Sequence, residues 1–208
     1  MTGLDDAYAV ETPDDNRTLY RGWAATYEDD FVRPRGYVYH ENVAALFARQ
    51  QNRRDGLVLD VGCGTGIVGE ALRALGQTRI DGLDLSPEML AKATGKRVYA
   101  NLIEADLTQE IPLADGVYDG VVSAGTFTHG HVGPAALAKL LRVAAAGAQF
   151  ALGINAEHYE QHGFAAAFAE LWAAGLITEP ATEQVRIYEN ANDEHADDLA
   201  LVVLFAKT

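Results

Sequence analysis

Hydrophobic and polar residues follow two different periods along this chain, and the period switches repeatedly from residue 57 onward. Short apolar runs at residues 57–61 and 79–85 predict buried β-strands. Longer stretches at 67–75 and 135–146 carry apolar residues every three or four positions, which predicts amphipathic helices. Strands and helices that alternate in this way indicate an α/β protein with a mostly parallel sheet.

Further short apolar runs complete the predicted sheet. Strands are expected over residues 98–104, 120–124, 149–154, 184–189 and 199–205. The last two have a polar, acidic connection and no helix between them, so they predict an antiparallel hairpin at the sheet edge. We therefore expect a doubly wound, mostly parallel seven-stranded sheet with an antiparallel edge hairpin.

The region before the sheet has a different pattern. Residues 1–16 are acidic and poor in apolar groups, which predicts a flexible N-terminus. Residues 17–51 predict two helices with a break near 33–36, and Leu19, Trp23 and Tyr27 share one helical face. Without a repeat or linker, we expect a single domain over 17–208, with 17–51 as a helical lid on a core at 57–208.

Composition narrows the classes of partner. The formal net charge of −14 repels phosphodiester backbones and anionic lipid, so we expect neither nucleic acid nor a membrane as partner. Cys63 is the single cysteine, which excludes an intramolecular disulfide. Neither a signal peptide nor an apolar run of bilayer-spanning length is recognisable, so the expected location is the cytoplasm. The oligomeric state is not indicated.

A glycine-rich turn follows the first predicted strand. Gly62, Gly64 and Gly66 lie between the strand at 57–61 and the next helix. This strand–turn–helix layout brings a ligand against the backbone of an α/β protein, where a side chain would hold it away. We therefore expect Gly62, Cys63 and Gly64 to contact a cofactor.

The spacing of the turn discriminates between cofactors. Dinucleotide enzymes use Gly-x-Gly-x-x-Gly, whereas this turn reads Gly-x-Gly-x-Gly with Asp60 just before it. A carboxylate at Asp60 would repel a pyrophosphate but suits a ligand with an ammonium or sulfonium charge. The run from Leu59 to Gly66 resembles motif I of the class I S-adenosylmethionine-dependent methyltransferases. A nucleotide-dependent oxidoreductase is the alternative that this spacing disfavours.

Two further carboxylates lie at the ends of predicted strands, Asp84 near the end of the second and Asp106 after the third. Asp84 stands 24 residues after Asp60, near the position of a ribose-binding acid. The resemblance implies that Asp84 accepts from the ribose hydroxyls and that Leu85 packs on the adenine. It likewise implies that Asp106 accepts from the adenine amino group while the backbone of Leu107 reaches the ring.

The segment after the fourth predicted strand contains two histidines. In the family that this chain resembles, this stretch borders the methionine part of the cofactor and then the acceptor, which implies a cofactor contact at Ser123. His129 and His131 could remove a proton from an acceptor hydroxyl or amine. A metal pair and an ordinary hydrogen-bonded role are the alternatives, and we expect no metal.

The predicted lid, residues 17–51, also contains a segment that resembles the methyltransferase family. Residues 20–29 are similar to an aromatic segment that many small-molecule methyltransferases place over the cofactor, which implies that Tyr20 and Tyr27 line the methyl donor site. Together with residues 118–132, this segment is most similar to the Williams-Beuren-associated methyltransferase-like proteins.

The resemblance implies an enzyme that transfers methyl from S-adenosylmethionine to a small-molecule acceptor and leaves S-adenosylhomocysteine. Proximity and alignment supply most of the catalysis of such a displacement, so a general base is optional. A cofactor-binding protein without activity is the alternative function. A protein acceptor also stays open, because an acidic surface could recruit a basic partner.

Overall fold

The computed structural model describes residues 12–51, 54–127, 132–190 and 197–208. Seven strands form one sheet: β1 (Leu57–Val61), β2 (Arg79–Asp84), β3 (Asn101–Glu104), β4 (Tyr118–Phe127), β5 (Ala144–Asn155), β6 (Ala181–Arg186) and β7 (Leu199–Ala206). The α-helices are α1 (Pro13–Trp23), α2 (Arg33–Arg35), α3 (Tyr39–Gln50), α4 (Ile67–Ala74), α5 (Pro87–Lys96), α6 (Ala136–Val143), α7 (Ala156–Gln161) and α8 (Phe164–Ala173). A π-helical turn, Glu28–Val32, precedes α2.

The strand order places β1 near the middle of the sheet. It runs β3-β2-β1-β4-β5-β7-β6, with β1 to β5 parallel and β7 antiparallel to both of its neighbours. The chain moves outward from β1 to β3 and then returns to β4, so the connections diverge between β1 and β4. Such a switch point opens a crevice at the carboxyl ends of the strands. The predicted fold class is confirmed.

Apolar clusters cover both faces of the sheet. On one face, Leu140 of α6 and Phe164 of α8 are fully buried. On the other face, Val43 and Phe47 of α3 belong to a cluster with buried residues of α1 and α4. The ring of Phe47 lies so close to Gly120 that a Cβ there would collide with it, which brings α3 directly onto β4. Burial on both faces fits the near-continuous apolar runs of a parallel sheet.

The lid differs from its predicted boundaries. Residues 1–11 lie outside the described residues, but α1 already begins at Pro13. Thr12 and Asp15 form a reciprocal capping box, which satisfies backbone N–H groups at this helix start. The flexible N-terminus over residues 1–16 stays a prediction. α1 ends at Trp23, and after a turn the π-helical segment and α2 follow up to Arg35, where Gly36 ends α2 at φ 57°.

Two elements of the sheet differ from the sequence pattern in ways that matter for the site. The helix predicted to reach residue 146 ends at Val143, because Ala144 pairs with Tyr118 and starts β5. β6 occupies 181–186 instead of 184–189, and Tyr188 forms an isolated bridge to Tyr37 of the lid. Strand pairing overrides local propensity in both places. No helix in the described ranges has the length and apolar character that crossing a membrane requires.

Candidate active site

A deep pocket opens where the carboxyl ends of β1, β2, β3 and β4 meet the lid. The turn after β1 forms its floor, and Gly62, Gly64 and Gly66 all have positive φ, at 69°, 52° and 95°. A Cβ on Gly62 would collide with the hydroxyl of Thr126, whereas one on Gly64 would meet no atom within 4 Å. Gly62 therefore permits close packing within the protein, and Gly64 leaves open space at the pocket.

Backbone hydrogen bonds tie this turn to the end of β2. The amides of Gly62 and Cys63 donate to the carbonyl of Leu83 at 2.7 and 3.0 Å. The amide of Gly64 donates to Asp84 Oδ2 at 2.8 Å. The turn and the carboxylate therefore form one rigid unit, in which the ligand-facing backbone has a defined position.

Asp84 lines the pocket with both carboxylate oxygens held by backbone donors. Oδ1 accepts from the amide of Ser86 at 2.8 Å, and Oδ2 accepts from Gly64. Burial raises the pKa of Asp84, while these backbone hydrogen bonds act in the opposite direction. Each oxygen keeps lone-pair capacity for a second donor, so the group can accept two hydroxyls of one ligand.

The ends of β2 and β3 bring the other predicted adenosine contacts together. Leu85, Asp106 and Leu107 all line the pocket. Asp106 Oδ1 accepts from the backbone amide and the hydroxyl of Thr108 at 2.8 and 2.7 Å, which orients the carboxylate. This placement matches the strand-end argument made from the sequence.

Asp60 lies outside the set of residues that line the pocket, although the sequence predicted contact with the positive charge of the ligand. It is fully buried, and its Oδ2 accepts from the hydroxyl of Tyr99 at 2.6 Å. Burial raises the pKa of Asp60 to about 7, against the lowering effect of the Tyr99 hydrogen bond. Asp60 therefore supports the turn from inside the protein.

The end of β4 also differs from its prediction. Ser123 is fully buried, lies outside the pocket lining, and donates from Oγ to the carbonyl of Val61 at 2.8 Å. Thr126 Oγ1 donates to the same carbonyl at 2.8 Å. The pocket lining begins one residue after Ser123, at Ala124, because the hydroxyl of Ser123 joins β4 to β1.

Cys63 lines the pocket as predicted, although its thiol is not a reactive group. It is 2 % exposed, and burial raises the pKa of the thiol well above its usual value. The sulfur lies beside Gly82 of β2, where a Cβ would approach it to 2.8 Å. Cys63 therefore fills space under the turn.

The lid closes the pocket with aromatic rings. Tyr20 and Tyr27 line it, as the sequence resemblance implied, together with Trp23 and Phe31. The rings of Trp23 and Tyr27 meet edge to face, with centroids 5.1 Å apart. Burial, followed by the nearby charge of Asp84, raises the pKa of Tyr20 to about 12, so this hydroxyl stays neutral at physiological pH.

Ion pairs and hydrogen bonds hold the lid on α5. Arg21 Nε lies 3.1 Å from Glu88 Oε1, and Lys92 Nζ donates to the carbonyl of Ala25 at 3.3 Å. Lys96 Nζ lies 2.9 Å from Glu28 Oε1 in the π-helical turn and also pairs with Glu70 on α4. The lid is therefore linked to the helix that starts at the glycine turn.

The candidate bases His129 and His131 lie outside the described residues. Sequence reasoning also missed several lining residues that the tertiary structure brings in: Tyr37, Tyr39, Asn155, Ile187 and Tyr188. Asn155 ends β5, so the rule that ligands bind at strand ends could have identified it. Tyr188 enters through an irregular bridge that no sequence pattern indicates.

A comparison with protein families matches residues 58–147 to a family described as "Methyltransferase domain". Methyltransferase-like protein 27 of Homo sapiens is 34% identical over 119 residues, 55% of this chain and 47% of that protein. An 18S rRNA (guanine-N(7))-methyltransferase of Bos taurus is 39% identical over 66 residues, 32% of this chain and 23% of its length. The chain thus aligns with less than half of each of these two relatives.

Solved structures share the fold at low sequence identity. A putative methyltransferase of Haloferax volcanii, in complex with the Trm112 activator, has a TM-score of 0.63, 22% identity and coverage of 91% of this chain and 98% of that one. The [4+2]-cyclase SpnF has a TM-score of 0.67, 16% identity and coverage of 96% and 97%. A cyclase with this fold shows that the fold alone does not determine the reaction.

The relatives correct one expectation from the sequence. The net charge was expected to disfavour nucleic acid as a partner, but several relatives are named as 18S rRNA methyltransferases. That expectation is wrong. The net charge of a whole chain is an average over its surface and does not report the charge of one substrate groove. Acidic composition therefore excludes no acceptor class here.

The predicted glycine turn and the strand-end acids thus occur in the segment that matches a known family. Residues 58–147 match the methyltransferase domain family, and the chain has the Rossmann-like fold of solved methyltransferase structures.

Proposed function

We propose that this chain is an S-adenosylmethionine-dependent methyltransferase whose acceptor enters beneath the aromatic lid. The observation that carries the proposal is the unit formed by Gly64 and Asp84, in which a ligand-facing backbone and a pocket-lining carboxylate are joined by a 2.8 Å hydrogen bond. The family match of residues 58–147 supports the same reaction.

The residues present fit this cofactor. Asp84 offers acceptor oxygens for the two ribose hydroxyls, and Leu85 and Leu107 offer apolar surface for an adenine ring. Asp106, oriented by Thr108, offers an acceptor for an adenine amino group. Gly64 leaves room at the turn for the amino acid end of the ligand.

Catalysis in this proposal depends on positioning. When bound, S-adenosylmethionine supplies a methyl group on a sulfonium, a good leaving group for an in-line displacement. The rigid turn and the lid hold the donor and acceptor in line, and the aromatic rings of Trp23, Tyr27 and Phe31 exclude water. Where the acceptor must lose a proton, His129 or His131 would receive it, since both follow β4 within four residues of Phe127.

The acceptor in this proposal is a small molecule, because the lid encloses the pocket with side chains of the chain itself. The resemblance of residues 20–29 to the lid segment of many small-molecule methyltransferases supports the same acceptor class. The second candidate is an RNA base, which the relatives named as 18S rRNA methyltransferases favour. The cytoplasm is the proposed setting, in which the single cysteine stays reduced.

Titration calorimetry with S-adenosylmethionine and S-adenosylhomocysteine tests the cofactor. We expect binding by the wild type and an affinity lower by ~10- to 100-fold in Asp84→Asn, because an amide offers one acceptor oxygen in place of two. Asp115→Asn, which changes an exposed carboxylate outside the pocket, is the matched control. Absence of binding at millimolar ligand would overturn the proposal.

Radiolabelled methyl transfer tests the acceptor. Label from the cofactor is followed into the small-molecule and RNA fractions of a cell extract, with heat-denatured protein as the blank. Label in the small-molecule fraction supports the first candidate, and label in RNA supports the second. Cofactor binding with no transfer to either fraction would favour a cofactor-binding protein without activity.

A further inference from the structure

One half of the pocket is built from three segments that lie far apart in the chain. Tyr37 of the lid, Asn155 at the end of β5 and Tyr188 after β6 all line it. The backbone bridge between Tyr37 and Tyr188 and a centroid distance of 5.9 Å between their rings join two of these segments. A Cβ built on Gly125 would lie 3.5 Å from the Tyr37 hydroxyl, so this aromatic wall borders the end of β4.

This wall carries no charge. Among the described lining residues, the charged side chains are Asp84 and Asp106, both at the strand ends assigned to adenosine. Burial raises the pKa of Tyr27 and of Tyr37 well above the usual value, so both phenols are neutral at physiological pH. An anionic acceptor packed against Tyr37 and Tyr188 would lose its hydration without gaining a cationic partner from these two side chains.

A cation close to the wall lies outside the pocket lining. The guanidinium of Arg35 is 5.8 Å from the ring centroid of Phe31 and 5.7 Å from that of Tyr188. Phe31 and Tyr188 line the pocket and Arg35 does not. The ligand therefore meets the aromatic rings and not the charge.

Asn155 supplies a polar group with a defined orientation. Its Oδ1 accepts from the backbone amide of His158 at 3.1 Å and so caps α7. Among the described residues Nδ2 makes no hydrogen bond. Because the cap uses the oxygen, the amide presents N–H donors to a ligand in the pocket.

We propose that this half of the pocket binds an acceptor with an uncharged aromatic ring that bears a hydrogen-bond-accepting atom opposite Asn155 Nδ2. The ring packs against the wall of Tyr37 and Tyr188, and the accepting atom receives the donor from Asn155. This inference rests on the proposed function and adds the substrate class of the same site.

Three small probes of related size test the class, each titrated into the protein already saturated with S-adenosylhomocysteine. Indole-3-carboxamide is uncharged, aromatic and carries an accepting oxygen. Indole-3-carboxylate differs from it by charge, and cyclohexanecarboxamide lacks the aromatic ring. We expect indole-3-carboxamide to bind at least tenfold more tightly than indole-3-carboxylate or cyclohexanecarboxamide.

The variant Asn155→Asp isolates the donor. Asp caps helices as well as Asn does, so Oδ1 can still accept from His158 while the N–H donors are lost. We expect the affinity for indole-3-carboxamide to fall at least tenfold and that for S-adenosylhomocysteine to stay within twofold. Gln184→Glu adds the same charge on exposed β6 and is the control, with neither affinity changed.

Several results would overturn the inference. These are equal or tighter binding of the carboxylate or of the saturated amide, no binding of indole-3-carboxamide by protein that binds S-adenosylhomocysteine, or an Asn155→Asp variant with unchanged probe affinity. Failure of S-adenosylhomocysteine itself to bind would instead count against the proposed function.

A displacement experiment identifies the source of the ring. Displacement of bound indole-3-carboxamide by a single-stranded RNA oligonucleotide would identify a nucleobase, and displacement by small aromatic amides alone would identify a free metabolite.

Discussion

The two halves of the pocket are constructed differently. The half at Gly62, Gly64 and Asp84 consists of strand ends and a turn, and backbone hydrogen bonds hold it. The half at Tyr37 and Tyr188 consists of aromatic side chains from segments about 150 residues apart, held by ring packing and one backbone bridge. Backbone geometry therefore dominates one half, and side-chain packing dominates the other.

Because of this difference, the two halves tolerate amino-acid substitutions to different degrees. A hydrogen-bonded turn with positive φ accepts few substitutions, because a Cβ there meets protein atoms or a strained conformation. An aromatic wall can change ring by ring while its packing is retained. The first half suits a constant ligand, and the second suits an acceptor that differs among related proteins.

The largest effect on cofactor affinity is expected from Gly62→Val, which disrupts the glycine turn after β1. The new side chain would collide with Thr126, and φ 69° is unfavourable for a β-branched residue. We expect the affinity for S-adenosylhomocysteine to fall at least ~100-fold and the melting temperature to drop, measured by calorimetry and thermal unfolding.

Gly95→Ala is the control for this change, because the helical position has no atom within 4 Å of an added Cβ. It should retain cofactor affinity and gain about 0.5–1 kcal/mol of stability. Unchanged cofactor binding by Gly62→Val would contradict the rigid-turn description.

The buried acid under the turn predicts a pH dependence of stability. The pKa of Asp60 is about 7 in the folded protein and ~3.9 in an unfolded chain. Between these values the folded state keeps a proton that the unfolded state has lost. The free energy of unfolding should therefore decrease as pH rises from ~4 to ~7, by up to ~4 kcal/mol from this group.

Asp60→Asn cannot titrate and should remove this contribution. Urea unfolding at pH 5, 6, 7 and 8 should give a flatter profile for the variant than for the wild type. Asp115→Asn, at an exposed side chain, should keep the wild-type slope. Parallel profiles for Asp60→Asn and the wild type would show that burial does not control this carboxyl group.

The aromatic wall can be weakened without touching the turn. Tyr37→Leu keeps apolar volume but removes the ring that faces Tyr188, so we expect indole-3-carboxamide affinity to fall about tenfold. Affinity for S-adenosylhomocysteine, measured in the same titrations, should stay within twofold. An equal loss of both affinities would show that the two halves are not independent.

The smallest effect is expected at the link between lid and core. Lys96→Met removes the pairs with Glu28 and Glu70, and partly exposed ion pairs contribute at most about 1 kcal/mol. We expect cofactor affinity to fall about two- to fivefold and to depend less on salt. Arg49→Met, which loses a surface pair with Glu183 outside the pocket lining, should leave that affinity unchanged.

Local sequence patterns determined much of the first half of the pocket. The run from Leu59 to Gly66 predicted the strand, the turn and the helix, because buried strands and glycine turns have a short-range signature. Asp84 and Asp106 followed from the rule that parallel strands end at one edge of the sheet. The seven-stranded α/β fold was predicted by the same alternation and is confirmed.

The tertiary structure alone decided where side chains point and which distant segments meet. Asp60 lies near the end of β1 and Ser123 lies within β4, and partners from other elements, Tyr99 and the carbonyl of Val61, hold their side chains inside the protein. Tyr188 lines the pocket through an irregular bridge to the lid. Such contacts depend on packing between elements far apart in the chain, for which a linear pattern of residues carries no periodic signal.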